Sequence, residues 1–218
     1  MLKFYYNRIS LNARRVWVAL LEKKLQFELI EVPLDGSQFQ PDFLAINPFH
    51  HIPVIIDEEF TVFESLAILD YLEAKYPQPT LLPNESRSLA IVKMIEMVTM
   101  NELLPATLPL MRQMLELAIE KEKVAQAKQK IATVMNFLET QLNEDSSYFL
   151  GEKFTLAEIV AGTAVPSLPL FGISLNEYPK LQKWCDRLQQ RESWRQTTPS
   201  LAEIEAFKPI MKNILEKL

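Results

Sequence analysis

A chain of 218 residues, 48% apolar and 23% charged, is long enough for one large domain or two modest ones and can bury a full core, which excludes a disordered segment. Its net charge of −5, from 28 acids against 23 bases with no basic block, argues against nucleic acid as a partner. Only 4 glycines leave little for phosphate-cradling loops, and the single cysteine, Cys185, excludes a disulfide framework or a cysteine metal cluster and fits a reducing compartment.

The first residues, Met1-Leu2-Lys3-Phe4-Tyr5-Tyr6, begin at once as a strand rather than as a basic-then-apolar leader. No apolar run approaches the roughly 18 residues of a spanning helix, so a cytoplasmic chain with no membrane contact is expected. Asn7–Leu11 reads as polar and irregular. A helix starts at Asn12, with Val16, Ala19, Leu20 and Lys23 on one side and Arg14, Arg15 and Glu22 mostly on the other. Phe27–Val32 reads as a second strand, Pro33–Gln40 as loop and Pro41–Ala45 as a short helix or turn. Val54–Ile56 and Thr61–Phe63 flank the acidic turn Asp57-Glu58-Glu59, a hairpin signature. A helix runs from Ser65 through Tyr76. Helices on the faces of a small mixed sheet follow from this order.

Residues 47–66 concentrate the chemistry. Pro53 stands immediately before the first hairpin strand, and Glu64-Ser65 immediately after the second. Ser65 opens a helix whose free N–H groups and positive end suit an anion. Together these features point to a small anionic, peptide-like ligand. An ordinary helix cap at Ser65 with a first-turn acid at Glu64 is the simpler alternative.

The stretch from Tyr76 to Asn84 holds three prolines and reads as a linker; everything after it is helical. From Arg87 to about Ala118 an apolar-rich segment is interrupted by Pro105 and Pro109, which should kink or break it. Val124, Ile131, Val134, Leu138 and Leu142 mark one face of the next helix. Thr155-Leu156-Ala157-Glu158 is a capping box that opens a helix apolar or small on every side, as a buried central helix requires. Leu181, Trp184, Cys185 and Leu188 share one helical stripe, so Cys185 reads as a structural thiol. Ser200-Leu201-Ala202-Glu203 is a second capping box, before a terminal helix that Pro209 should kink.

Four segments carry a family resemblance. Asn47-Pro48-Phe49-His50-His51-Ile52-Pro53 resembles an Asn-Pro-x-Gly-x-Val-Pro motif, and Phe63 through Leu72 resembles an acid-serine helix start. Tyr148 through Glu158 resembles a helical-domain capping segment, with glutamate where aspartate is usual. Tyr178 through Trp184, with Arg191-Glu192-Ser193-Trp194, resembles its late helices. In this order they are similar to the cytosolic glutathione S-transferases of the serine type. The resemblance implies an α/β thioredoxin-like N-terminal domain over 1–77, a linker over 78–86, and an all-α helical-bundle C-terminal domain over 87–218.

It also implies capture of glutathione and activation of its thiol. Pro53 would be a cis-proline that turns the Ile52 backbone toward the cysteinyl residue. Ser65 and its N–H would take the γ-glutamyl carboxylate, and Glu64 would meet the γ-glutamyl ammonium or orient the Ser65 backbone. His51 falls where a side chain meets the glycyl carboxylate, against plain solvent exposure, whereas His50 replaces the usual glycine. The thiol activator implied is Ser10, as a hydrogen-bond donor to the thiolate; Tyr5 and Tyr6 are competing donors, and Asn12 and Arg14 further candidates. A thiol titrates near ~8.5, so depressing it by two units takes about 2.7 kcal/mol, within reach of one charge-assisted bond and a helix terminus. No cysteine lies near residues 7–13, which argues against thiol-exchange chemistry.

An electrophile pocket is expected between the domains, with Tyr5, Met97, Met100, Asn101, Leu104 and Phe207 as candidates by analogy. The function implied is conjugation of glutathione, as co-substrate rather than cofactor, to hydrophobic electrophiles by a homodimer, with no metal. The alternatives are a glutathione-dependent isomerase, dehalogenase or lyase on the same fold, or a non-catalytic glutathione-binding module.

Overall fold

The computed structural model describes residues 1–216. Its chain divides into two compact units, the first made of residues 1–80 with 192–210 and the second of residues 81–191 with 211–218. The stretch 192–210, expected with the helical domain, belongs instead to the unit that contains the sheet, where it packs on the first helix of that unit.

In the first unit, β1 (Leu2–Tyr6) pairs in parallel with β2 (Phe27–Glu31) across the crossover helix α1 (Leu11–Glu22). α2 (Pro41–Ile46) follows a single 3₁₀ turn, Ser37–Phe39, inside the segment expected to be loop. β3 (Val54–Asp57) then runs antiparallel to β1, and β4 (Phe60–Phe63) antiparallel to β3, giving the order β2-β1-β3-β4. α3 (Ser65–Lys75) packs on α1 beside this sheet. Phe4, Val16, Leu20, Ile55, Ile68 and Leu72 are fully buried between strands and helices. That is the βαβ–α–ββα arrangement the alternating apolar pattern implies.

α1 stops without glycine. Lys24 takes the left-handed conformation at φ 54°, letting the N–H groups of Lys24 and Leu25 reach back to the carbonyls of Leu21 and Leu20. Lys23, fully buried, then holds the chain after α3. Its ammonium donates to the carbonyls of Tyr76 and Pro79 and pairs with Glu73 at 2.6 Å. A lysine on the apolar side of the first helical pattern thus ties down the proline-rich segment.

The second unit is helical: α4 (Ser86–Val98), α5 (Leu104–Met114), α6 (Lys121–Gln141), α7 (Leu156–Ala164) and α8 (Pro179–Gln189). α9 (Glu192–Thr197) belongs to the first unit, and α10 (Leu201–Glu216) runs from the first unit into the second. The expected break at Pro105 does not occur. A five-residue π turn, Thr99–Leu103, joins α4 to α5, with the Leu104 N–H bonding five residues back to the Thr99 carbonyl. The wider turn absorbs the missing donor and ring bulk of Pro105, so the helix continues. Pro109 lies within α5, again without ending it.

Every residue of α7 is buried. Its capping box is complete: Ala157 N–H donates to Thr155 Oγ1, while the Glu158 carboxylate accepts from the N–H and hydroxyl of Thr155 and from the Phe149 N–H at 2.8 Å. Ser200 and Glu203 form the same reciprocal pair in front of α10. No helix among the described residues is long and apolar enough to cross a membrane.

Candidate functional site

The segment between α2 and β3 is organised by Asn47, a buried amide. Its Nδ2 donates to the His51 carbonyl at 2.8 Å, its Oδ1 accepts from the Phe49 N–H at 3.1 Å, and its carbonyl accepts from the His50 N–H at 3.0 Å. His50 sits at φ 50°. It adopts the left-handed conformation natural to glycine, so the turn survives the replacement at a cost in backbone strain. The Ile52–Pro53 peptide bond is cis. Val54 then enters the sheet opposite Tyr5 and Phe63. Ile52 precedes the ladder, and its backbone N–H and C=O have no hydrogen-bond partner within the chain among the described residues.

After β4 the backbone turns sharply. Glu64 occupies φ 67°, ψ 116°, a region that non-glycine residues seldom enter. Its side chain does not cap α3, and the first turn of α3 contains no acid. The N–H groups of Ser65, Leu66 and Ala67 are left without acceptors in the chain among the described residues. Ser65 is buried, and its Oγ accepts from Nη1 of Arg15 at 3.4 Å. Arg15 is fully buried in α1, so a positive charge stands behind the helix start. Sequence reading missed this arginine, since in a run of two it reads as surface charge.

These pieces enclose a cavity of about 290 Å³ lined by Asn12, Leu34, His50, His51, Ile52, Pro53, Glu64 and Ser65. His51, Ile52, Pro53, Glu64 and Ser65, far apart in sequence from Asn12, come together on one wall system. The two histidines of the chain both line it. No lysine or arginine does, so anion binding there rests on helix N–H groups, imidazoles and amides. Leu34, held at φ 62°, was not anticipated; a leucine in a loop gives no signal.

Ser10 is not among the lining residues. It is the N-cap of α1: its Oγ accepts from the Ala13 N–H at 3.2 Å and its carbonyl from the Arg14 N–H at 2.8 Å. Its hydroxyl proton has no acceptor in the chain among the described residues, so the group keeps one donor to give. The competing tyrosines are packed. Tyr5 meets Phe43 edge-on, and Tyr6 stacks on Phe4 and meets Trp17. Burial, with Glu31 nearby, raises the Tyr6 phenol above its ordinary value, although Arg8 opposes this. Arg14 is buried and donates to the hydroxyls of Thr197 and Thr198; burial, then repulsion from Arg8, lowers it to about 10.

The electrophile candidates fall in different units. Tyr5 and Phe207 belong to the first; Met97, Met100, Asn101 and Leu104 belong to the second, around the π turn. Met97 and Asn101 are exposed, and Met100, Leu104 and Phe207 half-buried. Cys185 is buried in α8, and desolvation pushes its thiol up to about 12, leaving it unreactive. Among the described residues no three His, Cys, Asp or Glu side chains gather as a metal site would require.

Comparison with known proteins gives a consistent answer. Residues 4–80 match the glutathione S-transferase N-terminal domain model, and residues 98–192 the C-terminal one. Glutathione S-transferase Z1 of Arabidopsis thaliana is 30% identical over 202 residues, covering 91% of each chain. Rat (Rattus norvegicus) maleylacetoacetate isomerase is 28% identical over 190 residues, covering 85% of this chain and 86% of its own. A solved structure of glutathione S-transferase-I with bound lactoylglutathione superposes with a TM-score of 0.77 at 25% identity, over 90% of this chain and 98% of that one.

Proposed function

Because this chain belongs to the glutathione S-transferase family, we propose that it binds glutathione in the cavity of its first unit, holds the thiol as thiolate and transfers it to a hydrophobic electrophile. The observation that carries this reading is the cavity itself. One space brings together an unpaired backbone at Ile52, an uncapped helix start at Ser65, and His51. Each complements one part of a tripeptide with two carboxylates. The γ-glutamyl carboxylate meets the free N–H groups of α3 and the Ser65 hydroxyl, with Arg15 behind them. Glu64 pairs with the γ-glutamyl ammonium. Ile52 pairs in strand fashion with the cysteinyl residue, and His51 donates to the glycyl carboxylate.

The thiol then lies at the start of α1, where the Ser10 hydroxyl donates to the sulfur. The thiol proton leaves to solvent, the thiolate attacks the electrophilic carbon, and a carbon–sulfur bond forms. The leaving group departs with its electron pair, or an addition product takes a proton from water. Glutathione is consumed as co-substrate, and no resident cofactor is required. Around the π turn, Met97, Met100 and Leu104 give apolar, adaptable surface for varied electrophiles. Exposed Met94 and Leu108 in the helical unit support a homodimer as the working form, in the cytoplasm.

The similarity to maleylacetoacetate isomerase favours one second reading, in which the thiolate adds reversibly to a cis-enone and is expelled after bond rotation. Turnover measured in parallel with a chloronitrobenzene and with a maleyl substrate separates the two. Conjugation predicts a stable thioether from the first; isomerisation predicts turnover of the second without loss of glutathione. Absence of glutathione binding by calorimetry would remove both.

A further inference from the structure

The loop that carries Ser10 is held from two sides. On one side Asn7, buried, donates from its amide to the Val32 carbonyl at 3.0 Å and accepts from the Ile9 N–H at 3.1 Å. Its own carbonyl takes the Ser10 N–H at 3.1 Å. On the other side the hold comes from Arg8, whose side chain leaves the loop altogether. Its guanidinium lies over the Trp17 ring, 5.4 Å from the centroid, and its Nη2 donates to the Gln196 carbonyl at 3.2 Å, 188 residues along the chain. Its Nε pairs with Oε1 of Glu203 at 2.8 Å. These partners, from α1, α9 and α10, all belong to the first unit.

Glu203 is shared between two tasks. Its Oε2 accepts from the N–H and the hydroxyl of Ser200, both at 2.7 Å, which completes the cap of α10, and its Oε1 is turned to Arg8. The bonds from Ser200, aided by Arg8, hold this carboxyl below its ordinary range, so the pair is charged at neutral pH. One carboxylate thus ties the start of α10 to a residue two positions before Ser10.

An ordinary surface ion pair is the simpler account, since the two side chains are 32% and 43% exposed and such pairs contribute little to stability. Arg8 does more than a solvated pair would. The ring contact, the carbonyl bond and the ion pair together fix the plane of the guanidinium, which a single contact would leave free to rotate. The arrangement also carries an electrostatic cost, because burial and then Arg8 lower the Arg14 guanidinium. Two peptide units span at most about 7 Å, and the bond from Ser10 to Asn7 closes the turn between them, so a displacement of Arg8 passes directly to Ser10.

Resting on the reading that the Ser10 hydroxyl serves the glutathione thiol, we infer that Arg8 is a positioning residue for the reaction: anchored on Gln196 and Glu203, it fixes the loop that presents that hydroxyl. Arg8 does not line the cavity and acts only through Ser10. The docking of residues 192–203 on the first unit thereby serves the chemistry as well as the fold.

The test is a double-mutant cycle between Arg8→Met and Ser10→Ala. The readouts are kcat with a chloronitrobenzene, KM for glutathione, and the pKa of bound glutathione from thiolate absorbance. Methionine keeps an apolar stem against Trp17 and removes the fork. Arg8→Met should lower kcat about tenfold, the scale of effect that a small misplacement of a reacting group produces, and should raise the bound-thiol pKa. KM for glutathione should stay within about twofold, since the cavity wall is untouched. In the Ser10→Ala background the same substitution should change neither kcat nor the thiol pKa, because the group it positions is gone. Arg8→Lys, with the charge but without the fork, should recover part of kcat, and Glu203→Gln, still able to cap α10, should reproduce the loss in weaker form. An equal fall of kcat in both backgrounds, or a kcat untouched by Arg8→Met in an enzyme that depends on Ser10, would overturn the inference. A wild type that does not bind glutathione, or whose turnover is indifferent to Ser10→Ala, would instead overturn the function proposed for the site.

Discussion

Two helices of the first unit begin at a serine, and they begin differently. At α1, Ser10 is a working N-cap, its hydroxyl oxygen accepting from Ala13 and its carbonyl from Arg14. At α3, the cap position belongs to Glu64, whose side chain makes no capping bond and whose backbone is held at φ 67°, while Ser65 stands inside the helix, buried, with Arg15 against its hydroxyl. Neither first turn contains an acid. At the α1 terminus the serine side chain satisfies one of the three leading N–H groups, that of Ala13, and leaves those of Leu11 and Asn12 open. The α3 terminus keeps its N–H groups unbonded and backed by a buried guanidinium, at the expense of backbone strain. A serine-led helix start becomes an anion site when the capping function is withheld.

The largest expected effect breaks the α3 side of this contrast. Ser65→Asp would supply internally the negative charge that the α3 terminus otherwise reserves for its ligand. Glutathione affinity, measured by calorimetry, should fall by about 100-fold or more, from lost hydrogen bonding to a charged group and added like-charge repulsion. The fold should hold, because an acid near a helix start and beside Arg15 is electrostatically favoured. Affinity within a few-fold of wild type would mean that the carboxylate of the ligand is bound elsewhere.

Next comes the anchor at the other end of α3. Asp57, nearly buried in the hairpin turn, accepts from Tyr71 at 3.0 Å and Tyr76 at 2.7 Å and pairs with Lys75 at 2.9 Å. Desolvation pushes its carboxyl up, but the bonds from Lys75, Tyr76 and Tyr71 together outweigh this and hold it below the ordinary aspartate range. A depressed carboxyl adds stability above its unfolded pKa and loses it as pH falls through the folded value. Melting temperature should therefore be flat from neutral pH to about 5 and fall steeply below about 4. Asp57→Asn should cost about 2 kcal/mol at pH 7, from weaker hydrogen bonds and the lost ion pair, and should flatten that acid limb. An acid limb unchanged in the variant would place the titrating group elsewhere.

How legible was this beforehand? The mixed sheet with helices on its faces and the helical half followed from period-two and period-3.6 patterning, two capping boxes and the proline run, because burial on one face dictates those patterns, whereas the strand order did not. In the site, Pro53 was noticed because its residue type restricts the backbone, and Glu64-Ser65 because an acid–serine pair marks a helix start, although neither side chain caps α3. His50 shows where type alone misleads: the missing glycine put the turn in doubt, and a strained histidine keeps it. Arg15 was illegible, since a buried charge has the same letter as a solvated one and only its partners distinguish it; Lys23 fell on the apolar side of the pattern, but its partners after α3 gave no sign. The π turn was equally hidden, because Pro105 signals a broken helix and says nothing of how the break is absorbed. The placement of 192–210 with the sheet depends on contacts such as Arg14 with Thr197 and Thr198, nearly the whole chain apart.

The smallest effect separates capping from chemistry at α1. Ser10→Ala removes the acceptor for the Ala13 N–H, and losing an N-cap of this kind typically costs about 1 kcal/mol. It leaves the cavity wall intact, because Ser10 is not part of the lining, so glutathione affinity should stay within about twofold. Turnover should fall nonetheless, because the serine O–H is the donor proposed for the sulfur. Glycine at the same position restores most of the cap at little cost, a few tenths of a kcal/mol, yet has no O–H to donate. Stability of Ser10→Gly should therefore recover toward wild type while its turnover stays as low as that of Ser10→Ala. If turnover recovered together with stability, the serine would act only by capping the helix.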